Sequence, residues 1–132
     1  ETCGAYSFKG SPHFDWITLS PKREKKPSLT NLCLANEIKL IIDHPDALKE
    51  WEKYLKALIV KSPLITPKTI WLHPEWSKRK DEEILGQITQ AVKGRELSYR
   101  AGYQMHKLFK ADQDDPRTQK AVPLGGDPKR GY

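Results

Sequence analysis

Four short polar clusters close segments that read as β-strands, and amphipathic helices separate most of them. The clusters are Glu1-Thr2-Cys3-Gly4, Ser20-Pro21-Lys22, His73-Pro74-Glu75-Trp76 and Gln104-Met105-His106-Lys107. Strands that alternate with helices lie parallel, so each delivers its last residues to the same edge of a sheet. This order constrains the fold more than any single motif does: it is the layout of an α/β barrel rim, with the clusters converging on one site. A complete eight-unit barrel takes roughly 250 residues, and the chain has 132. It can therefore supply only part of one.

The segments between the clusters fill in the same order. Residues 15–19 mix β-branched and aromatic side chains and stop at Pro21, which removes a backbone donor. A charged loop follows, and Ser28 can cap a short helix through Leu34. Residues 37–42 read as a buried strand ending at His44-Pro45, with Glu37 and Lys39 on one face. If that face is a barrel interior the two charges need partners, and a structural charge network is their expected role. Leu48, Trp51, Leu55 and Leu58, with Tyr54 beside them, keep helical spacing over residues 45–59; Asp43 or His44 could cap this helix and Pro45 begin it. Trp51 reads as core. Residues 69–72 make a third strand. A helix over 81–93 carries Ile84, Leu85, Ile88, Ala91 and Val92 on one face, with Gly94 as its stop. Residues 96–103 alternate into a last strand. The chain thus divides into a folded region, 1–110, and a polar, proline-containing tail, 111–132, expected to lie extended over the domain or to be partly disordered.

Charge and cysteines narrow the function classes. Lys and Arg number 23 against 17 acids, a net charge of +6, spread over several segments as in ordinary solvated loops. Cys3 and Cys33 stand too far apart for a paired metal-ligand spacing, and two cysteines do not make the dense framework of a secreted mini-protein. No run of about 18 apolar residues occurs, and the start lacks the character of a signal peptide. The expectation is a soluble, cytoplasmic protein. Glu1 is not Met and stands inside what reads as a strand end, which points to natural chain upstream.

The clusters offer complementary chemistry. Thr2 and Gly4 give a hydroxyl and a turn that lets a ligand approach the backbone. Ser20-Pro21-Lys22 combines a hydroxyl, a rigid turn and an ammonium, apt for a carboxylate or a ribose hydroxyl. His73-Pro74-Glu75 adds an imidazole and a carboxylate, and Gln104 with His106 adds an amide and a second imidazole that can hydrogen-bond a heterocycle or carry a proton.

The start Glu-Thr-x-Gly, Trp16 through Lys22, residues 35–39, Leu72-His73-Pro74 and Tyr103-Gln104-Met105-His106-Lys107 together resemble, in order and spacing, the carboxyl-terminal half of the 7-carboxy-7-deazaguanine synthases. These belong to the radical S-adenosylmethionine superfamily and act in queuosine and deazapurine biosynthesis, a tRNA-modification route. The resemblance covers about residues 1–110. It implies half of an incomplete (β/α) TIM-like barrel, and a carbon-nitrogen lyase in which adenosylmethionine is cleaved reductively at a [4Fe-4S] cluster. The resulting radical takes hydrogen from 6-carboxy-5,6,7,8-tetrahydropterin, which contracts with the aid of Mg²⁺ and loses ammonia. By motif, Thr2 and His106 would touch the pterin, while Gly4, Ser20, Pro21, Lys22, His73, Pro74, Glu75 and Trp76 would line the adenosylmethionine site. The resemblance further implies a homodimer, a reductant such as flavodoxin, and the other half of the barrel as partner.

The departures are specific. The family's cluster cysteines, its Mg²⁺-binding threonine and its glycine-rich strand end belong to the amino-terminal half and have no counterpart in this chain. Cys3 and Cys33 cannot replace a closely spaced cysteine triplet, so this chain alone should be inactive. His73 stands where some members carry glutamine. Short members end soon after the His-Lys pair, whereas this chain runs on to Tyr132.

Two other classes compete. A small basic α/β module could grip RNA through Lys22-Arg23, Lys25-Lys26, Lys78-Arg79-Lys80 and Lys129-Arg130, although no RNA-binding motif accompanies them. A hydrolytic metal site could use His13, His44, His73 and His106, but no pair has helical or hairpin ligand spacing.

Overall fold

The computed structural model describes residues 1–6, 14–61, 68–94 and 97–105. Its elements run β1 (Thr18–Leu19), α1 (Leu29–Leu34), β2 (Glu37–Ile42), α2 (Ala47–Lys61), β3 (Thr69–Pro74), a 3₁₀ turn (Trp76–Lys78), α3 (Glu82–Gly94) and β4 (Tyr99–Ala101). The four strands form one parallel sheet in the order β1-β2-β3-β4. Thr2 extends it past β1 through a parallel bridge to Leu19. The protein is therefore α/β, with sequential strands as neighbours.

Alternation along the strands divides the sheet into two faces. In β2 and β3 every second residue is buried: Ile38, Leu40 and Ile42, then Ile70, Leu72 and Pro74. The five aliphatic ones pack with Leu19 and Tyr99 against Leu32, Ala47, Leu48, Trp51, Leu55, Ile84 and Ile88 from the three helices. Leu40, Ile42 and Leu72 keep no exposed surface, and burying such side chains is worth about 1.5–3 kcal/mol each. The intervening residues Glu37, Lys39 and Ile41, then Thr69, Trp71 and His73, lie on the other face and are only partly buried. Trp51 is core, 6% exposed.

The helix ends follow local chemistry. Ser28 caps α1, its side chain accepting from the Asn31 N–H at 3.2 Å. At the other end Lys68 Nζ donates to the carbonyls of Cys33 and Ala35. In α3 the Asp81 carboxylate accepts from the N–H groups of Glu83 and Ile84, and Glu82 and Glu83 complement the positive helix end.

Several boundaries differ from expectation. The first strand is two residues rather than five, because Asn36 captures the backbone of Ile17: its Oδ1 accepts the Ile17 N–H and its N–H donates to the Ile17 carbonyl. β3 continues through His73 and Pro74, and β4 is shorter than residues 96–103. α2 begins at Ala47, and the Asp43 and His44 side chains bond Arg23. The 111–132 tail lies outside the described residues. Among those described, no helix is long and apolar enough to cross a membrane.

Candidate functional site

Register fixes where the clusters stand. Thr2, Leu19, Ile38, Ile70 and Tyr99 share one row across the strands. Ser20 lies one residue beyond that row, and His73, which pairs with Ile41, lies three beyond it. At about 3.3 Å per residue, His73 stands about 10 Å further along the strand direction than Thr2. The clusters follow the carboxyl-terminal direction of their strands in a staggered line.

Within that line two groups are physically joined. The first is Thr2, Gly4 and Ser20. The Thr2 N–H donates to the Thr18 carbonyl, the Ser20 N–H donates to the Thr2 carbonyl at 2.7 Å, and the Gly4 N–H donates to Thr2 Oγ1 at 3.3 Å. Gly4 is buried with φ +73°, and a Cβ there would stand 2.8 Å from a Leu19 methyl. Only glycine satisfies both conditions at this turn. Pro21 is buried, and Lys22 follows in a tight turn closed by reciprocal backbone bonds with Lys25.

The second group joins the ends of β3 and β4. A Cβ on Gly102 would come within 2.2 Å of His73 Nε2, so the imidazole lies directly against the glycine backbone. Trp76 meets Tyr103 edge-to-face at 5.9 Å, and Arg79 covers the Trp76 ring while donating to its carbonyl. Glu75 caps the 3₁₀ turn by accepting from the Ser77 N–H and hydroxyl. Gln104 is buried. His106, expected beside it, lies outside the described residues.

Between the two groups the sheet face opposite the three helices carries the charge network expected of Glu37 and Lys39. Glu37 accepts from the Thr18 hydroxyl at 2.7 Å and the Trp71 indole at 2.8 Å. Burial opposes its ionisation, but these hydrogen bonds, with one from Trp16, outweigh it and hold the carboxyl below its usual range. Lys39 pairs with Glu1, whose carboxyl is also lowered: burial works against it, and the bond to Lys39, the Lys39 charge and the neighbouring Ser20 hydroxyl prevail. Arg100 lies over the Trp71 ring, 5.8 Å from its centroid.

Local sequence did not single out three features. Arg23 pairs with Asp43 at 2.9 Å and with Glu50, while His44 contacts Asp43 and Glu50 through its two ring nitrogens. Burial opposes Asp43 ionisation, yet the His44 bond and the Arg23 charge lower its pKa. Gly102 was only one position in a strand, and Asn31 only one in a helix. Asn31 has no exposed surface and donates from Nδ2 to the carbonyls of Gly4 and Tyr6, each at 2.6 Å. No local pattern marks it: only the structure shows that α1 buries Asn31 and Leu32 yet leaves Leu29 and Leu34 exposed.

The rival sites fare differently. His44 and His73 have separate partners, and among the described residues no group of three His, Cys, Asp or Glu could hold a metal. Cys3 is buried and Cys33 partly so. Of the basic residues that could face RNA, Arg23 is neutralised by Asp43 and Glu50, and Arg79 is committed to Trp76. A groove of about 600 Å³ between α2 and α3 lies on the helical side of the sheet.

The chain is 35% identical over 111 residues to a 7-carboxy-7-deazaguanine synthase from Synechocystis, an alignment covering 83% of this chain and 47% of that protein. The chain thus spans about half the length of the curated relative it matches. No protein-family model matches it. No solved structure matches it either.

Proposed function

We propose that this chain is the carboxyl-terminal half of a 7-carboxy-7-deazaguanine synthase, a radical S-adenosylmethionine lyase that contracts 6-carboxy-5,6,7,8-tetrahydropterin to 7-carboxy-7-deazaguanine with loss of ammonia. One observation carries the reading. The likeness to the synthase is accompanied by a parallel sheet along which Ser20 and His73 stand one and three residues beyond the Thr2 row, at the first and third strand steps from Thr2. Closing eight strands with a shear of 8 requires a drift of about one residue per strand. In a barrel of tilted strands, even one left incomplete, such a drift would bring a staggered line on the sheet to one level rim.

The chemistry of the side chains fits the ligands. Ser20 and Lys22 can meet a carboxylate or ribose hydroxyls, and Trp76, after the third strand, adds an aromatic ring further along the line. Thr2 and His106 would hold the pterin; Gly4, Pro21, His73, Pro74 and Glu75 would shape the adenosylmethionine pocket. When bound next to a reduced [4Fe-4S] cluster, adenosylmethionine supplies the radical that starts the reaction. The cluster and Mg²⁺ ligands would come from the other half of the barrel. In the full protein we expect a homodimer served by a flavodoxin-like reductant and feeding queuosine-type tRNA modification.

The test uses the full-length protein that carries this chain, reconstituted anaerobically with iron and sulfide. Incubation with the tetrahydropterin, adenosylmethionine, Mg²⁺ and dithionite should yield 7-carboxy-7-deazaguanine by mass spectrometry. An intact cluster that cleaves adenosylmethionine without forming this product would overturn the assignment. Within it, Lys22→Ala should weaken adenosylmethionine binding and His106→Ala pterin binding, each by about tenfold or more, as loss of a charge-assisted hydrogen bond predicts.

A further inference from the structure

The loop after Thr2 is held by a different device from Thr2 itself. Thr2 is fixed by the sheet, through its bonds to the Thr18 carbonyl and the Ser20 N–H. Residues 4–6 leave the sheet, and α1 grips them instead. The Gly4 carbonyl accepts from the Ser28 N–H at 3.1 Å and from Asn31 Nδ2 at 2.6 Å, and the same Nδ2 reaches the Tyr6 carbonyl at 2.6 Å. One carboxamide thus uses both of its hydrogens on two carbonyls of a single turn.

The arrangement is not one that stability alone favours. Asn31 Oδ1 is fully buried without a hydrogen-bond partner among the described residues, while Leu29 and Leu34 of the same helix stay exposed. An orphaned buried acceptor is destabilising, and an apolar residue would avoid it. What the asparagine supplies is the fixed position of the Gly4–Tyr6 backbone.

We infer that Asn31 is a positioning residue for adenosylmethionine: without touching the ligand, it holds the Gly4 turn that lines the pocket. This rests on the proposed function, in which Gly4 lines the adenosylmethionine site and Thr2 the pterin site. Because the sheet fixes the Thr2 backbone, and only the long Gly4 N–H bond to Thr2 Oγ1 ties its side chain to the turn, losing Asn31 should impair adenosylmethionine binding far more than pterin binding.

The experiment titrates adenosylmethionine and 6-carboxy-5,6,7,8-tetrahydropterin separately into the anaerobically reconstituted full-length protein, as wild type, Asn31→Asp and Asn31→Ala. Asp keeps the size but cannot donate; Ala removes the donors without burying a charge. Thermal unfolding is recorded for each. In folded variants the adenosylmethionine Kd should rise about tenfold, corresponding to a hydrogen bond lost, with the pterin Kd changed less than about twofold. Equal losses for both ligands, an unchanged adenosylmethionine Kd, or unfolding of both variants would overturn the inference by making Asn31 structural or irrelevant. Wild type that binds no adenosylmethionine would overturn the underlying function as well, which separates the two failures.

Discussion

The two faces of the sheet are made by the same strands and have opposite characters. One face, carrying Leu19, Ile38, Leu40, Ile42, Ile70 and Leu72, is sealed beneath three helices. The other carries Thr18, Glu37, Lys39, Trp71, His73 and Arg100: Glu37 bonds Thr18 and Trp71 across strands, Lys39 pairs with Glu1, and Arg100 lies over the Trp71 ring. The covered face gains its free energy from apolar area, which tolerates variation in partner so long as volume is kept. The opposite face depends on particular donors meeting particular acceptors. Stability should therefore respond to substitutions on the first face, and geometry and ligand binding to those on the second.

The strongest test of that division is Leu40→Ala, which opens a cavity under the helices. It should cost about 2–5 kcal/mol, read from urea unfolding. A loss under 1 kcal/mol would mean that the helical face is not the stabilising one. Gly102→Ala acts on the other face by driving a methyl into the His73 imidazole. Overpacking costs about 1–3 kcal/mol, and the low end is expected because the ring can swing away. The larger sign should be a displaced His73 resonance in an NMR spectrum.

Glu37→Gln sharpens the comparison through pH. The folded carboxyl titrates below its usual value of 4.5, so its stabilisation is complete above that value and disappears as pH falls through the lowered one. The variant should lose about 1 kcal/mol at neutral pH and show a shallower acid limb in its stability profile. Glu1 and Asp43 shift in the same direction and preserve part of the slope. Arg23→Ala should have the smallest effect, under about 1 kcal/mol and reduced by salt, because its partners Asp43 and Glu50 are about half exposed. A larger loss at high salt would show that the Arg23 cluster organises the strand ends.

Much of this architecture was legible in the sequence because it depends on local pattern. The bounds of β2 and the helical register of Leu48, Trp51 and Leu55 follow from periods of 2 and 3.6 residues, which the chain expresses without help from distant segments. Ser28 capping α1 is equally local. The need of Glu37 and Lys39 for partners was also evident, but not who the partners would be. Trp71 and Thr18 come from different strands, and Glu1 lies far back along the chain. The same holds for Gly102 beneath His73, for Asn31 beneath the Gly4 turn, and for Asn36 shortening β1 by holding Ile17. Residue type and spacing determined the strands, the helices and the polar strand ends. Only the tertiary structure decided which donors face which acceptors, because register and strand order bring together groups that no local periodicity relates.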